Sequence, residues 1–383
     1  MLYKLSDIFD LQMGKTPSRD NNMYWKDGNL PWVSIADLSK SQIYIENSKE
    51  MITNLAAKDT SMKCIPQDTV IMSFKLSLGK TAITKTPLYT NEAIMAFVDK
   101  KIIQIEPKYI YFLFSNIKWG QYTNNAVKGK TLNKKFFSDF QIYIPEYIQQ
   151  TKIASILIRI NKILEYKHSL IKAYDALIKS RFVEMFGDPN MVALNKSVKF
   201  SSVAKIITGN TPSRKSPEYY GDYIEWIKSD NIISTNLYIS QAKEFLSEQG
   251  AAKGRVAPKD SLLMTCIAGS KRSIGNVGIC DRSVAFNQQI NAIVMKNNIN
   301  PLYVYWLLKL FKPSIIANVE MSLKGIISKS QLENMLIPII ASQEEQELFI
   351  KFALQINKLK SDVQKSIDET QLLMDSLMQE YFG

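Results

Sequence analysis

Gly14-Lys15-Thr16-Pro17-Ser18-Arg19 returns later in the chain as Gly209-Asn210-Thr211-Pro212-Ser213-Arg214. A repeated stretch marks a repeated structural unit, so it governs the architecture before any single helix or strand does. Matches continue outward in the same order. Leu30-Pro31-Trp32-Val33-Ser34 is followed by Ile224-Glu225-Trp226-Ile227-Lys228, and Pro66-Gln67-Asp68-Thr69-Val70-Ile71-Met72-Ser73 by Pro258-Lys259-Asp260-Ser261-Leu262-Leu263-Met264-Thr265. Gly79 to Ile83 pairs with Gly275 to Ile279, Asn91-Glu92-Ala93-Ile94 with Asn287-Gln288-Gln289-Ile290, and Met185-Phe186-Gly187 with Tyr381-Phe382-Gly383. The offset stays between 192 and 196 residues, so the 383-residue chain is two tandem copies of one module. One stretch differs in length: five residues separate Ser73 from Gly79, but nine separate Thr265 from Gly275. Loops absorb such insertions and commonly carry function.

Each copy has two parts. The first is mixed: short β-rich runs such as Thr69 to Phe74 alternate with turn residues, and helical runs such as Ile110 to Ile117 lie between them. The second is a long stretch from Thr151 to Phe186 without proline or glycine. Apolar residues recur there at heptad spacing, at Ile156, Ile163, Leu170 and Leu177 and again at Leu157, Leu164, Ile171, Ile178 and Met185. The second copy repeats this at Phe352, Leu359 and Leu373 and at Phe349, Ile356, Val363 and Leu377. An exposed seam of that length needs a partner, and two such helices packed antiparallel supply one. The expected fold is α+β: two mixed α/β domains, 1–148 and 191–342, joined by two long antiparallel coiled-coil-like helices, 149–190 and 343–383, in a pseudo-two-fold tandem repeat.

Composition narrows the partners. A hydrophobic content of 46% fills real cores, and a net charge of +12 favours a polyanionic partner, nucleic acid or an anionic surface. No run of apolar residues is long enough to span a membrane, since Lys309 interrupts the Tyr303 to Phe311 segment. Three widely spaced cysteines, Cys64, Cys266 and Cys280, fit a reducing cytoplasm better than a disulfide framework. Cys64 and Cys266 are expected as small core fillers, and Trp32 and Trp226 as core aromatics.

Catalytic constellations are missing from the sequence. The one histidine, His168, falls in the middle of the first long helix, where a solvated or interhelical role suits it better than a catalytic one. Gly79-Lys80-Thr81 imitates the end of a phosphate-binding loop, but Phe74 stands where the loop needs its first glycine, and the second copy has Asn276 for the lysine. Glu344 and Glu345 sit at a helix start, where they suit the helix dipole.

The order of these motifs resembles the specificity subunits of type I restriction–modification systems. The resembling marks are Gly14-x-Thr16-Pro17-Ser18 leading to Pro31-Trp32-Val33, and Gly209-x-Thr211-Pro212-Ser213 leading to Trp226-Ile227. Further marks are Gln149-Gln150 and Glu344-Glu345-Gln346 opening the long helices, and Phe186-Gly187-Asp188-Pro189 closing the first. The second helix ends at Tyr381-Phe382-Gly383 without the Asp-Pro, a departure expected at a natural terminus. The resemblance implies two target-recognition domains, each for one half of a split, asymmetric site in double-stranded DNA. It implies spacer helices that dock two methyltransferase (M) subunits, with restriction/translocase (R) subunits reached through the complex. It also implies a non-catalytic cytoplasmic chain without cofactors or membrane attachment; S-adenosylmethionine, ATP and magnesium would serve the partners. A tandem nucleic-acid adaptor that holds RNA or protein without reading sequence is the alternative.

DNA contacts are expected from basic or polar loop residues, phosphate contacts to position and base-edge contacts to specify. The candidates are Lys15, Ser18, Arg19, Lys75, Lys80, Lys128 and Lys130 in the first copy, and Ser213, Arg214, Lys215, Lys271, Arg272 and Lys324 in the second. Arg19 and Arg272 have the fork geometry that suits guanine. Ser18 and Ser213, following Thr-Pro, equally suit a turn.

Overall fold

The computed structural model describes residues 1–122, 132–191, 196–296, 299–317, 319, 325–338 and 341–383. The chain divides into two compact units, Met1–His168 with Lys365–Gly383, and Ser169–Gln364. The two long helices, Tyr147–Phe186 and Gln343–Phe382, are forty residues each, and each contributes one part to either unit.

In the first unit a five-stranded sheet runs in the order Phe9–Met13, Ile94–Asp99, Val70–Ser73, Thr81–Thr84, Tyr44–Ile45. All neighbours are antiparallel except the last pair, which is parallel. Its central strands read as unbroken apolar runs because both faces are covered. Ile71, Ala82, Ile94 and Ala96 turn to one core with Val33, Leu38, Ile45 and Leu88. On the alternate positions Phe97 meets Phe9, Phe114 and Phe137 edge-on, as the two-residue period of a strand requires. A smaller sheet, Glu50–Ile52, Leu30–Val33, Tyr89–Thr90, carries Trp32.

The second unit repeats the plan. Its main sheet runs Ala204–Thr208, Ile290–Met295, Leu262–Thr265, Val277–Ile279. A single parallel bridge, Tyr238 to Ile279, stands where the first unit has its fifth strand. Leu262, Met264 and Ile293 pack with the helix Pro301–Ala317 and with the long helices through Ile178, Phe182, Phe349 and Ile356.

A buried glutamine fastens each long helix to its unit. Gln150 is 1% exposed; its Oε1 accepts from the Glu106 amide at 2.9 Å, and its Nε2 donates to the carbonyls of Gln104 (3.1 Å) and Pro145 (2.9 Å). Gln346 is 3% exposed, accepts from the Asn300 amide at 3.0 Å and donates to the Ala341 carbonyl at 2.8 Å. These are the glutamines of the repeated helix-opening motif. Glu345 closes a capping box with Ser342, satisfying amides that have no partner within the helix.

Within each unit the helices lie side by side. In the second, Phe182 meets Phe349 while Asp175 pairs with Lys360, so one helix ascends as the other descends. In the first, Lys167 Nζ donates to the Ser366 carbonyl (2.9 Å) and the Thr370 hydroxyl (2.6 Å). The buried face holds Ile153, Leu157, Ile160, Leu164, Ile178 and Phe182 on one helix, and Phe349, Ala353, Ile356, Ile367 and Met374 on the other. The seam therefore differs from expectation. Ile163 (46% exposed), Leu177 (45%), Leu359 (45%) and Leu373 (52%) point to solvent, while Ile156, Leu170 and Phe352 are half-buried. On the first helix the two heptad series are one residue apart and so stand about 100° apart, and only one of them points straight at a partner. On the second the series are three or four residues apart, so this geometry does not account for Leu359 and Leu373. Leu157, Ile160, Leu164 and Ile178 are buried, at the three-four alternation a packed helix needs, while Lys167, Ile171 and Met185 are half-buried. On the partner helix Phe349 and Ile356 are buried, and Val363 and Leu377 are half-buried. Cys64 is also corrected: it is exposed, because the adjacent Ile65 takes the interior position, whereas Cys266 and Cys280 are buried.

Candidate nucleic-acid interface

The repeated Gly-x-Thr-Pro-Ser-Arg stretch folds the same way twice. The Gly14 and Lys15 amides donate to the carbonyls of Ile94 (3.2 Å) and Thr90 (2.9 Å); those of Gly209 and Asn210 donate to Ile290 (3.0 Å) and Phe286 (3.2 Å). A side chain at Gly14 would come within 2.2 Å of the Asn91 carbonyl oxygen, and at Gly209 within 2.2 Å of that of Asn287, so only glycine allows the approach. Trp32 Nε1 donates to the Lys15 carbonyl and Trp226 Nε1 to that of Asn210. The hydroxyls of Thr16 and Thr211 donate to Glu92 and Gln288 on the facing turn.

Arg19 closes this clasp. Its guanidinium lies 3.9 Å from the centre of the Trp25 ring and 5.0 Å from that of Trp32, and Nη2 donates to Glu50 at 3.0 Å while Nη1 engages the other carboxylate oxygen. Arg214 stacks on Tyr220 (4.4 Å) and Trp226 (5.0 Å) and pairs with Glu244 at 2.6 Å, a carboxylate it shares with Lys228. Hydrogen bonding from Arg19 holds the Glu50 carboxyl below its ordinary range, and Lys228, then Arg214, do the same for Glu244. Lys15 also works inward: its ammonium donates to the Thr60 carbonyl at 2.7 Å, as Asn210 Nδ2 does to Lys253 at 2.8 Å. Ser18 accepts from Trp25 Nε1 through its carbonyl, and the Ser213 hydroxyl accepts from the Lys215 amide, so both shape their turns. Lys215 is exposed.

A hairpin tip stands beside each clasp, fastened to the same turn. The Phe74 amide donates to Ala93 (2.9 Å), next to the Ile94 that receives Gly14; Cys266 donates to Gln289 (2.8 Å), next to the Ile290 that receives Gly209. The first tip carries Lys75 and Lys80. The second carries Lys271 and Arg272, both exposed, with no carboxylate within ion-pair distance among the described residues. The longer second tip is braced by an extra antiparallel pair, Ile267–Ala268 with Gly325–Ile326, and by Lys312, whose ammonium donates to the Arg272 carbonyl at 2.8 Å and Asn276 Oδ1 at 2.6 Å. Lys128, Lys130 and Lys324 lie outside the described residues. Glu50, Glu244 and Lys228 were not singled out from the sequence, because each meets its partner only after folding. Among the described residues no helix is long and apolar enough to cross a membrane, and no group of three or more His, Cys, Asp or Glu is placed to hold a metal.

The chain is thus a tandem pair of clasp-and-tip modules, each with parts of the two long helices. The family model for the type I restriction modification DNA specificity domain matches residues 1–173 and 194–369, and the chain belongs to that family. It is similar to the type I restriction enzyme MjaIX specificity subunit of Methanocaldococcus jannaschii, 26% identical over 244 residues, 63% of this chain and 55% of that protein. It is also similar to the HindI specificity subunit of Haemophilus influenzae, 28% identical over 160 residues, 40% of this chain and 34% of that protein. The chain thus spans about half the length, or less, of these curated relatives. In fold it is similar to the S subunit of a type I system from M. genitalium, with a TM-score of 0.57 at 12% identity, covering 100% of this chain and 96% of that one. A second solved chain, from a study of complex assembly in a type I R-M system, has a TM-score of 0.64 at 15% identity and covers 100% and 97%.

Proposed function

We propose that this chain is the DNA-reading subunit of a type I complex, non-catalytic itself, with each clasp-and-tip module reading one half of a split, asymmetric duplex target. The observation that carries the reading is the pairing of two clasps built on the same plan with different basic tips. Frames of one plan dock alike, and unlike tips read unlike sequences. Residues 1–148 and 191–342 serve as the two readers, and 149–190 and 343–383 as spacer and docking surface. Arg19, Arg214 and Lys15 hold the frame, while Lys75, Lys80, Lys215, Lys271 and Arg272 are the cations available for DNA.

Docking of methyltransferase subunits is assigned to the long helices, which expose the apolar residues Ile163, Leu177, Leu359 and Leu373. S-adenosylmethionine, ATP and magnesium then belong to those partners. The test is footprinting of the chain with its methyltransferase partner on duplex DNA. Two protected blocks separated by unread bases are expected, with affinity falling steeply as salt rises because phosphate contacts release counterions. One continuous block, or equal competition by RNA, would overturn the reading.

A further inference from the structure

The two hairpins are closed identically and tipped differently. In the first, Ser73 and Lys80 pair through the Ser73 amide (2.9 Å), and the Gly79 amide returns to the Ser73 carbonyl (2.9 Å). In the second, Thr265 and Asn276 pair at 2.9 Å and Gly275 returns to Thr265 at 2.8 Å. Between these closures the first copy places Leu76 in the left-handed region, with φ of +64°, and leaves it 75% exposed.

Both properties are unfavourable for leucine. Its Cβ crowds the backbone at positive φ, and its side chain gains nothing from burial; glycine or asparagine would relieve both. The tip is nonetheless firmly built. Ser73 Oγ donates to the Ser77 carbonyl and accepts from the Lys80 amide at 3.0 Å. Phe74, 1% exposed, is anchored on both sides, its amide to Ala93 and its carbonyl from Leu132 at 3.0 Å. A rigid platform therefore holds an apolar side chain out in water, between Lys75 and Lys80. The second tip has no counterpart: its exposed side chains, Ser270, Lys271 and Arg272, are polar, and its Ile267 is drawn into strand pairing.

We infer that Leu76 is a specificity-determining side chain that makes an apolar contact with a thymine 5-methyl group in the first half-site. The inference rests on the DNA-reading function proposed above. Two cations flanking one apolar group match what duplex DNA presents, phosphates on either side and base edges between. In the major groove the one apolar group among those edges is the thymine methyl. Strained residues held by an over-determined surrounding are a mark of functional sites.

The test uses the full chain assembled with its methyltransferase partner on a library of duplex targets, comparing wild type with Leu76→Gly and Leu76→Asn, both of which tolerate the backbone. Discrimination at one position of the first half-site should fall about tenfold in the variants, while the other positions and the whole second half-site hold. The melting temperature should stay level or rise. Replacing that thymine by uracil should weaken wild-type binding by a similar factor and leave Leu76→Asn unaffected. Variants that read both half-sites like wild type, or a wild type blind to uracil, would overturn the role of Leu76 and leave the DNA-reading function standing. Loss of methyltransferase binding with unchanged DNA preference would reassign Leu76 to a protein contact and overturn it too. A wild-type complex with no sequence preference would overturn the DNA-reading function itself, and Leu76 with it.

Discussion

At the Val70–Ser73 strand and at its counterpart Leu262–Thr265 the backbone performs the same closure with the same hydrogen bonds. Past that closure the copies diverge. The first tip is short and carries a strained, exposed Leu76. The second is longer, is braced by a strand pair and by Lys312, and presents Lys271 and Arg272. Because both copies belong to one chain, each serves as a control for the other. Features kept in both, such as the glycine approach, the threonine bond and the arginine stack, answer to the frame. Features that differ are free to answer to a partner.

The comparison breaks most visibly if the tips are exchanged. Replacing residues 266–274 by the first tip, 74–78, removes the strand pair with Gly325–Ile326 together with both exposed cations. Methylation directed to the native target should drop by about a hundredfold or more, since several base and phosphate contacts go at once. Mapping of methylated bases should show the first half-site retained. An unchanged second half-site would mean that the tip does not read.

The glutamine fasteners sharpen the contrast within the frame. Gln150, a buried side chain, makes three bonds and Gln346, also buried, makes two. Gln150→Ala should cost about 3 kcal/mol and Gln346→Ala about 2 kcal/mol, because each strands buried backbone groups. Denaturant melts of the two variants check the order. At the hairpin closures, Gly79 and Gly275 both have positive φ, +80° and +73°. A Cβ on Gly79 would meet Trp119 Cδ1 at 2.7 Å, but on Gly275 only Ile316 Cγ2 at 3.3 Å. Gly79→Ala should therefore lose about 2 kcal/mol and Gly275→Ala about 1 kcal/mol, the difference being the buried indole that cannot give way.

Much of this was legible before folding. The duplication lies in one dimension, so Gly14 to Arg19 and Gly209 to Arg214 declare it directly. The long helices declare themselves by period and by the absence of proline and glycine. Which of two adjacent heptad series turns inward was not legible, because Ile163 and Leu164 are alike in chemistry and only a partner helix tells them apart. Arg19 looked like a guanine reader because its carboxylate, Glu50, lies 31 residues away and declares itself only when the smaller sheet forms. Leu76 carried no signal at all: a positive φ belongs to the hairpin's closure, not to the leucine.

The smallest difference lies in the clasps themselves. Arg19 has Glu50 to itself and two tryptophans to stack on, whereas Arg214 shares Glu244 with Lys228 and stacks on Tyr220 and Trp226. Removing Arg19 leaves Glu50 without this partner; removing Arg214 leaves Glu244 still paired. Both arginines are about half exposed, so solvent screens the pairs and each contribution is small. Arg19→Ala should cost about 1 kcal/mol and Arg214→Ala about half that. Acid erases the difference with a definite sign. The folded-state pKa values of Glu50 and Glu244 are depressed, so the stability they contribute is present above the unfolded carboxylate value, about 4.3, and is lost as pH falls through their folded values. The gap between the two variants should be fully open at pH 7 and closed once both carboxylates are protonated, and melts at the two extremes measure it. A gap that survives acid would assign the Arg19 contribution to the tryptophan stack instead of the ion pair.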